Sequence, residues 1–373
     1  MKFLNHKQCA SLVAAAGGKR SILVLGENGV GKTSILETIR QMPKFAQHYI
    51  PNPINCPELS DGSIWMPYID HERGVSFELP NVRMGVNATN NRAIKGSIPV
   101  VRCLDEITKA PQFIKNILAP IVHERRVGQF DDPEGSVTFA TGNLSHEGLG
   151  DSLLAHLRTR FVVVYMRKPT QPEWKKEFAE PRGLHPVVLA ATDLYPNWFD
   201  SFLDYEKGGK YAGKDMSKDA PAIYNPRIKQ DGYFSPRTGH MASDILHASD
   251  GLDTDTVAAA LAGAIGEVAA ESMMALVYLN RDIPTFSRVV SNPDTTPIVD
   301  NPNAQLIQVN QFVTLTKTRD DAAAVTQYIR RMRKELQTLF VNKIYNSSSV
   351  VLFSTIEEFN KMRVELSLFV DSH

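Results

Sequence analysis

The chain has 373 residues, with 41 basic and 41 acidic side chains, so its formal net charge is zero. Hydrophobic residues make up 43% and charged residues 22%, a globular composition that excludes a disordered polyelectrolyte. Neutrality also argues against a protein that coats nucleic acid or anionic membrane, while leaving room for a local basic channel.

This length suits two or three folding units. Residues 1–18 read as an amphipathic helix rather than a signal peptide, because His6 and Lys7 interrupt the apolar part. Cys9, Cys56 and Cys103 are far apart and form no CxxC pair, so a disulfide framework or zinc knuckle is not expected, and a reducing cytoplasm is. Short branched runs at 21–25, 100–104, 137–140 and 161–164 predict buried strands. Helical patterns over 32–41 and 111–123 fall between them, and this alternation predicts an αβα sandwich with a parallel sheet. Residues 64–79 read as two strand-like runs around an Asp-His-Glu-Arg-Gly turn. Prolines at 169 and 172 mark a change of character near Lys168, which divides the chain into a core over 1–168 and a helical unit over 169–373.

In the second unit the patterns predict helices over 236–249, 255–279 and 320–345, the last carrying the basic run Arg330–Lys334. A final helix over 355–369 has a capping box in Ser354 and Glu357 and an apolar stripe of Ile356, Phe359, Met362, Leu366 and Phe369. Residues 207–230, rich in Gly, Lys, Asp and Pro, read as an exposed insertion. The longest apolar stretch, 257–279, is broken by Glu267 and Glu271, so no membrane insertion is expected.

Gly26-Glu27-Asn28-Gly29-Val30-Gly31-Lys32-Thr33, followed by Ser34, fits the pattern G-x-x-x-x-G-K-[ST] between a strand and a helix. A glycine-rich turn there exposes successive N–H groups at the positive end of a helix, a cradle for phosphates. Lys32 reaches the β- and γ-phosphates and Thr33 ligates Mg2+ in such a loop. Asp105 and Glu106 end the strand at 100–104, and a phosphate-transfer site needs both roles they can fill. Asp105 is the candidate metal carboxylate and Glu106 the candidate group for polarising water; their alternative is an acidic pair capping the next helix. Asn143, at the tip of the next strand, is placed to touch the γ-phosphate or the water, or is a turn residue after glycine. Arg102 is unexpected in a buried strand.

Taken in order, GENGVGKT, CLDE, FATGN, LRTRF and SPRT resemble the AAA+ ATPases, and most of all their MoxR-like branch, over residues 12–300. The resemblance implies an αβα ATPase core, a helical lid and a homo-hexameric ring with ATP and Mg2+ at subunit interfaces. It implies that Arg160 supplies an arginine finger to the neighbouring subunit, with Arg158 second, and that Arg237 is the lid's sensor arginine. A guanidinium suits both tasks because it is always charged and forks onto phosphate oxygens. Independently, Ser235 and Pro236 place Arg237 at a helix N-terminus, where a cation is disfavoured until an anion joins it. The resemblance further implies a protein client, such as a von Willebrand factor A-type protein or a metalloenzyme awaiting activation. Residues 64–79 are either a pore-facing insert or a structural hairpin packing Trp65 and Phe77. A nucleic-acid motor of the same fold and a slow nucleotide-gated scaffold are the rival readings.

Overall fold

The computed structural model describes residues 2–85, 98–144 and 155–370. The chain forms two compact units, Met1–Lys168 and Pro169–His373.

The first unit is built on a parallel sheet in the order β1-β10-β2-β9-β6-β3. Its strands are β1 (Phe3–Leu4), β2 (Ser21–Gly26), β3 (Ile54–Asn55), β6 (Val101–Asp105), β9 (Val137–Asn143) and β10 (Phe161–Met166). The helices of this unit are α1 (His6–Ala16), α2 (Ile35–Arg40), α3 (Gln112–His123) and the short α4 (Ala155–Arg158). β2 is buried along its whole length, as a central strand covered on both faces must be. Ile22, Val24, Val101, Cys103 and Phe139 meet Cys9, Val13, Ile35 and Ile39 of α1 and α2 in one apolar cluster. Ile114, Leu118 and Ile121 of α3 are buried outside that cluster. Each such aliphatic side chain contributes ~1.5–3 kcal/mol on burial.

The N-terminus differs from the expected single helix. Phe3 and Leu4 pair with Tyr165 and Met166 at the sheet edge, and Asn5 then caps α1 through a capping box with Gln8. β4 (Trp65–Asp70) and β5 (Val75–Pro80) form the antiparallel hairpin around the predicted turn. Trp65 and Phe77 are half-buried, while Met66, Tyr68 and Ile69 stand exposed. A small hairpin of β7 (Arg126–Val127) and β8 (Phe130–Asp131) follows α3. Arg102 is accounted for by a buried ion pair with Asp132, at 2.8 Å, and by donation to the Met84 carbonyl at 2.7 Å.

The second unit is helical: α5 (Gln171–Trp174), α6 (Pro186–Leu194), α7 (Met216–Asp219), α8 (Pro236–His247), α9 (Thr254–Ile265) and α10 (Glu267–Asn280) lead into α11 (Phe286–Ser291), α12 (Pro302–Leu315), α13 (Arg319–Arg330), α14 (Lys334–Asn346), α15 (Val350–Phe353) and α16 (Glu357–Val370). α12 is shared between two apolar clusters, giving Ala304 and Ile307 to one and Val309, Phe312 and Val313 to the other. Lys175, Lys343 and Asn310 converge on Asp193 where those clusters meet.

Two expected helices are interrupted and a third starts late. The 255–279 pattern breaks at Gly266, whose φ of 80° and ψ of 155° suit glycine alone, and where a Cβ would come within 2.5 Å of the Gly232 carbonyl. Gly263, in the same pattern, faces open space. The 320–345 pattern breaks after Arg330, with Arg333 extended and Gln337 donating to the freed carbonyls of Arg330 and Met332. The basic run therefore turns a corner: Arg330 pairs with Glu365, and Arg331 donates to the carbonyls of Pro293 and Thr296. The last helix starts at Glu357, and Ser354 bonds back to the Val350 carbonyl instead of capping it. Ile356, Phe359, Met362 and Leu366 are buried as the stripe predicts, and the Phe369 side chain lies outside those described. The 207–230 stretch is exposed in its first half and mixed in its second: Met216, Ala220, Ala222, Ile223 and Asn225 are buried, while 217–219, 221 and 227–229 are exposed.

Candidate functional site

The site is assembled at the C-terminal ends of β2, β6 and β9, which lie side by side in the sheet. Gly29 and Gly31 take φ values of 72° and 93°, so the loop after β2 turns through conformations that a side chain would strain. A Cβ on Gly26 would come within 2.8 Å of the Met166 carbonyl, which fixes the loop's entry. Glu27 and Val30 are buried, and Asn28 and Gly29 are half-buried. The helix after the loop begins at Ile35 rather than at Lys32, with three-residue backbone bonds from Ile35 to Lys32 and from Leu36 to Thr33. Ser34 donates to the Gly31 carbonyl at 2.7 Å and lies 3.1 Å from His6 Nε2.

Lys32 is 8% exposed, and its ammonium donates to the carbonyls of Gly26 (2.8 Å) and Glu27 (2.7 Å) and to Asn143 Oδ1 (2.9 Å). Asn143 Nδ2, on the same amide, is buried with no hydrogen-bond partner. A buried unsatisfied donor costs ~1–3 kcal/mol, and one held beside an ammonium is suited to an anionic oxygen. Thr33 Oγ1 lies 3.1 Å from each oxygen of Asp105. A hydroxyl and a carboxylate meeting at one point are hard oxygen donors of the kind Mg2+ takes, so these residues fit the metal and the phosphates. Glu106, next in the chain, is in the left-handed region at φ 54°, and its carboxylate pairs with Lys109 at 2.9 Å.

Three groups were not legible as site residues. Thr141 donates to Asp105 Oδ1 and accepts from the Glu106 N–H; Thr108 accepts from the Asn143 N–H at 3.3 Å; Lys109 holds Glu106. The one available signal was period: Thr141 and Asn143, two apart on a strand, share a face. Behind the site, burial pushes the Cys56 and Cys103 thiols up, with the nearby Asp105 charge adding to it. Cys9, on α1, is pushed up to about 11 by burial. No cluster of metal-ligating His, Cys, Asp and Glu side chains occurs among the described residues.

The structure does not bring Arg158 and Arg160 to the cradle of their own chain. Phe161 pairs with Ser21 at the start of β2, while the loop begins at Gly26, so at 3.3 Å per residue the arginines lie ~17 Å away along the sheet. Arg158 is exposed and Arg160 half-buried. The Glu124 carboxyl sits below its usual range, chiefly through its hydrogen bond from Arg126, with the Arg160 charge adding. Arg237 is exposed in the first turn of α8, behind Ser235 as cap and Pro236 as first residue. No helix among the described residues is long and apolar enough to cross a membrane.

No protein-family model matches the chain, and no curated protein does. Solved structures that resemble it include a Cytophaga hutchinsonii protein assigned as an ATPase (16% identity, 44% of this chain and 47% of that one, TM-score 0.31). The chain thus spans about half the length of that protein. A RuvB mutant from Thermotoga maritima shows 16% identity over 80% of this chain and 79% of its own, with a TM-score of 0.33. Brucella abortus NtrX in complex with ADP shows 12% identity over 97% and 67%, with a TM-score of 0.37.

Proposed function

We propose that the chain is a MoxR-like AAA+ ATPase. In this reading residues 1–168 are the ATPase core and 169–373 a helical lid, and cytoplasmic homo-hexameric rings hydrolyse ATP at subunit interfaces to remodel or activate a protein client. The observation that carries the reading is the convergence of Lys32, Thr33, Asp105, Glu106 and Asn143 at the ends of three adjacent parallel strands.

Each residue then has a task. Lys32 exchanges its carbonyl partners for phosphate oxygens. Asn143 offers its unpaired Nδ2–H to the γ-phosphate. Thr33 and Asp105 would hold Mg2+, which when bound neutralises charge on the phosphates. Glu106 accepts a hydrogen bond from water and orients it towards phosphorus. Arg160, remote from its own cradle, serves the site of the adjoining subunit, where a guanidinium stabilises the charge that develops.

Calorimetric titration with ATP tests this. Lys32→Ala should abolish most of the affinity that the parent shows, and near-parental binding by that variant would discard the cradle.

A further inference from the structure

We infer that Thr141 is a positioning residue that sets Asp105 and Glu106 together, an inference that rests on the ATPase reading above. The ladder between β6 and β9 runs from Val101↔Val137 to Leu104↔Ala140. The next pair in register, Asp105 and Thr141, is joined by a side chain. The Thr141 hydroxyl donates its single proton to Asp105 Oδ1, and its oxygen accepts the Glu106 N–H at 3.1 Å. One fully buried hydroxyl therefore grips both acids.

Each half of that grip has a consequence. Glu106 turns out of the strand in a left-handed conformation, uncommon for a residue with a side chain. The bond from its N–H to Thr141 fixes where that turn occurs, and hence where the carboxylate starts. Asp105 receives Thr141 on Oδ1 and Thr33 across both oxygens, so two hydroxyls fix the plane of the carboxylate. A second tie runs the other way. Thr108, in the turn after Glu106, accepts the Asn143 N–H, and Gly142 leaves the room for it: a Cβ there would lie 2.5 Å from Thr108 Cγ2. The two strand ends that carry the candidate metal acid, the candidate water-orienting acid and the candidate phosphate sensor are stitched together by a threonine from each side. Valine fills the same volume as threonine without the hydroxyl, so packing alone does not require threonine at 141.

The test compares the parent, T141V and T141S in two assays: binding of a fluorescent ATP analogue titrated with Mg2+ or with EDTA present, and steady-state ATP turnover. T141V should keep metal-free nucleotide binding within about twofold, raise the half-saturating Mg2+ concentration about 10–100-fold and lower kcat by a similar factor, while T141S, which keeps both bonds, restores both towards the parent. T141V with Mg2+ dependence and kcat within about twofold of the parent overturns the assignment, as does T141S failing in step with T141V. Should T141V not fold, T141A read by the same two assays decides between the same outcomes. A parent that binds no nucleotide overturns the ATPase reading and this one with it; a parent that binds and turns over, matched by T141V, overturns this one alone.

Discussion

Replacing Arg102 strands a carboxylate inside the first unit. Its guanidinium grips Asp132 with two parallel bonds of 2.9 and 2.8 Å, and the two side chains are 0% and 2% exposed. Nε also satisfies the Met84 carbonyl. Arg102→Met therefore leaves a buried charge and an unpaired carbonyl, and Asp132→Asn leaves a buried guanidinium without its counter-ion. Breaking a buried pair from one side costs about 3–5 kcal/mol. For a unit of this size each kcal/mol moves Tm by ~2–4 °C, so calorimetry should show the transition of the first unit falling by about 6–20 °C. Arg102→Met with Asp132→Leu removes both charges and should cost less than either single change, because apolar replacement of a buried pair is often neutral or better. Hydrogen exchange across β6 reports the same loss locally. Single variants that shift the transition by less than ~2 °C, or a double variant whose cost equals the sum of the singles, would refute the argument.

Glu106→Gln should keep magnesium–ATP binding while turnover falls by orders of magnitude; turnover within a few-fold of the parent would remove Glu106 from its role. Arg160→Ala should bind ATP and hydrolyse it poorly, with a loss of ~10³–10⁵ for a trans-acting arginine. Mixing it with Lys32→Ala should recover activity, since exchanged rings contain interfaces with one intact cradle and one intact finger; verified mixed rings with no gain would count against a shared site. Acid should weaken the second unit through His185, whose Nδ1 accepts from the Val187 N–H and which burial pushes down to about 4 from 6.5, with His247 adding. The folded state binds fewer protons across that window, so stability falls as pH drops from 6.5 to 4, by about 3 kcal/mol at ~1.4 kcal/mol per pKa unit. Denaturation curves of His185→Asn, which keeps an acceptor but does not titrate, should flatten over that range; an unchanged slope would assign the acid sensitivity elsewhere.

The strands at 21–25 and 137–140 were legible because covered parallel strands must be continuous branched runs; 161–164 also forms a strand but not the buried one expected, since Val162 is 42% exposed and Val163 and Val164 are half-buried. β1 and β3 are two residues each and carry no period; only their neighbours make them strands. Periodicity also ran through Gly266 and Met332, because apolar residues lie on both sides of each break. The first break is set by the close approach of Gly232 and the second by Gln337 reaching back to two carbonyls, contacts remote from the local pattern. In the candidate site, the loop and the acidic pair follow from backbone chemistry at strand ends. Thr108 and Thr141 are single hydroxyls whose partners sit on another element; the two-residue spacing puts Thr141 on the face of Asn143, and no local spacing marks Thr108.

All three cysteines belong to the first unit and are fully buried, with their thiols pushed towards the neutral, unreactive form. A maleimide in solution should find nothing to alkylate until that unit opens. Cys9 sits on the buried face of α1, Cys103 within β6 and Cys56 just beyond the end of β3, so peptide mapping of the label would time three depths of opening separately. The helical unit has no cysteine and would stay silent, which gives the unmodified chain an internal clock for one half of itself.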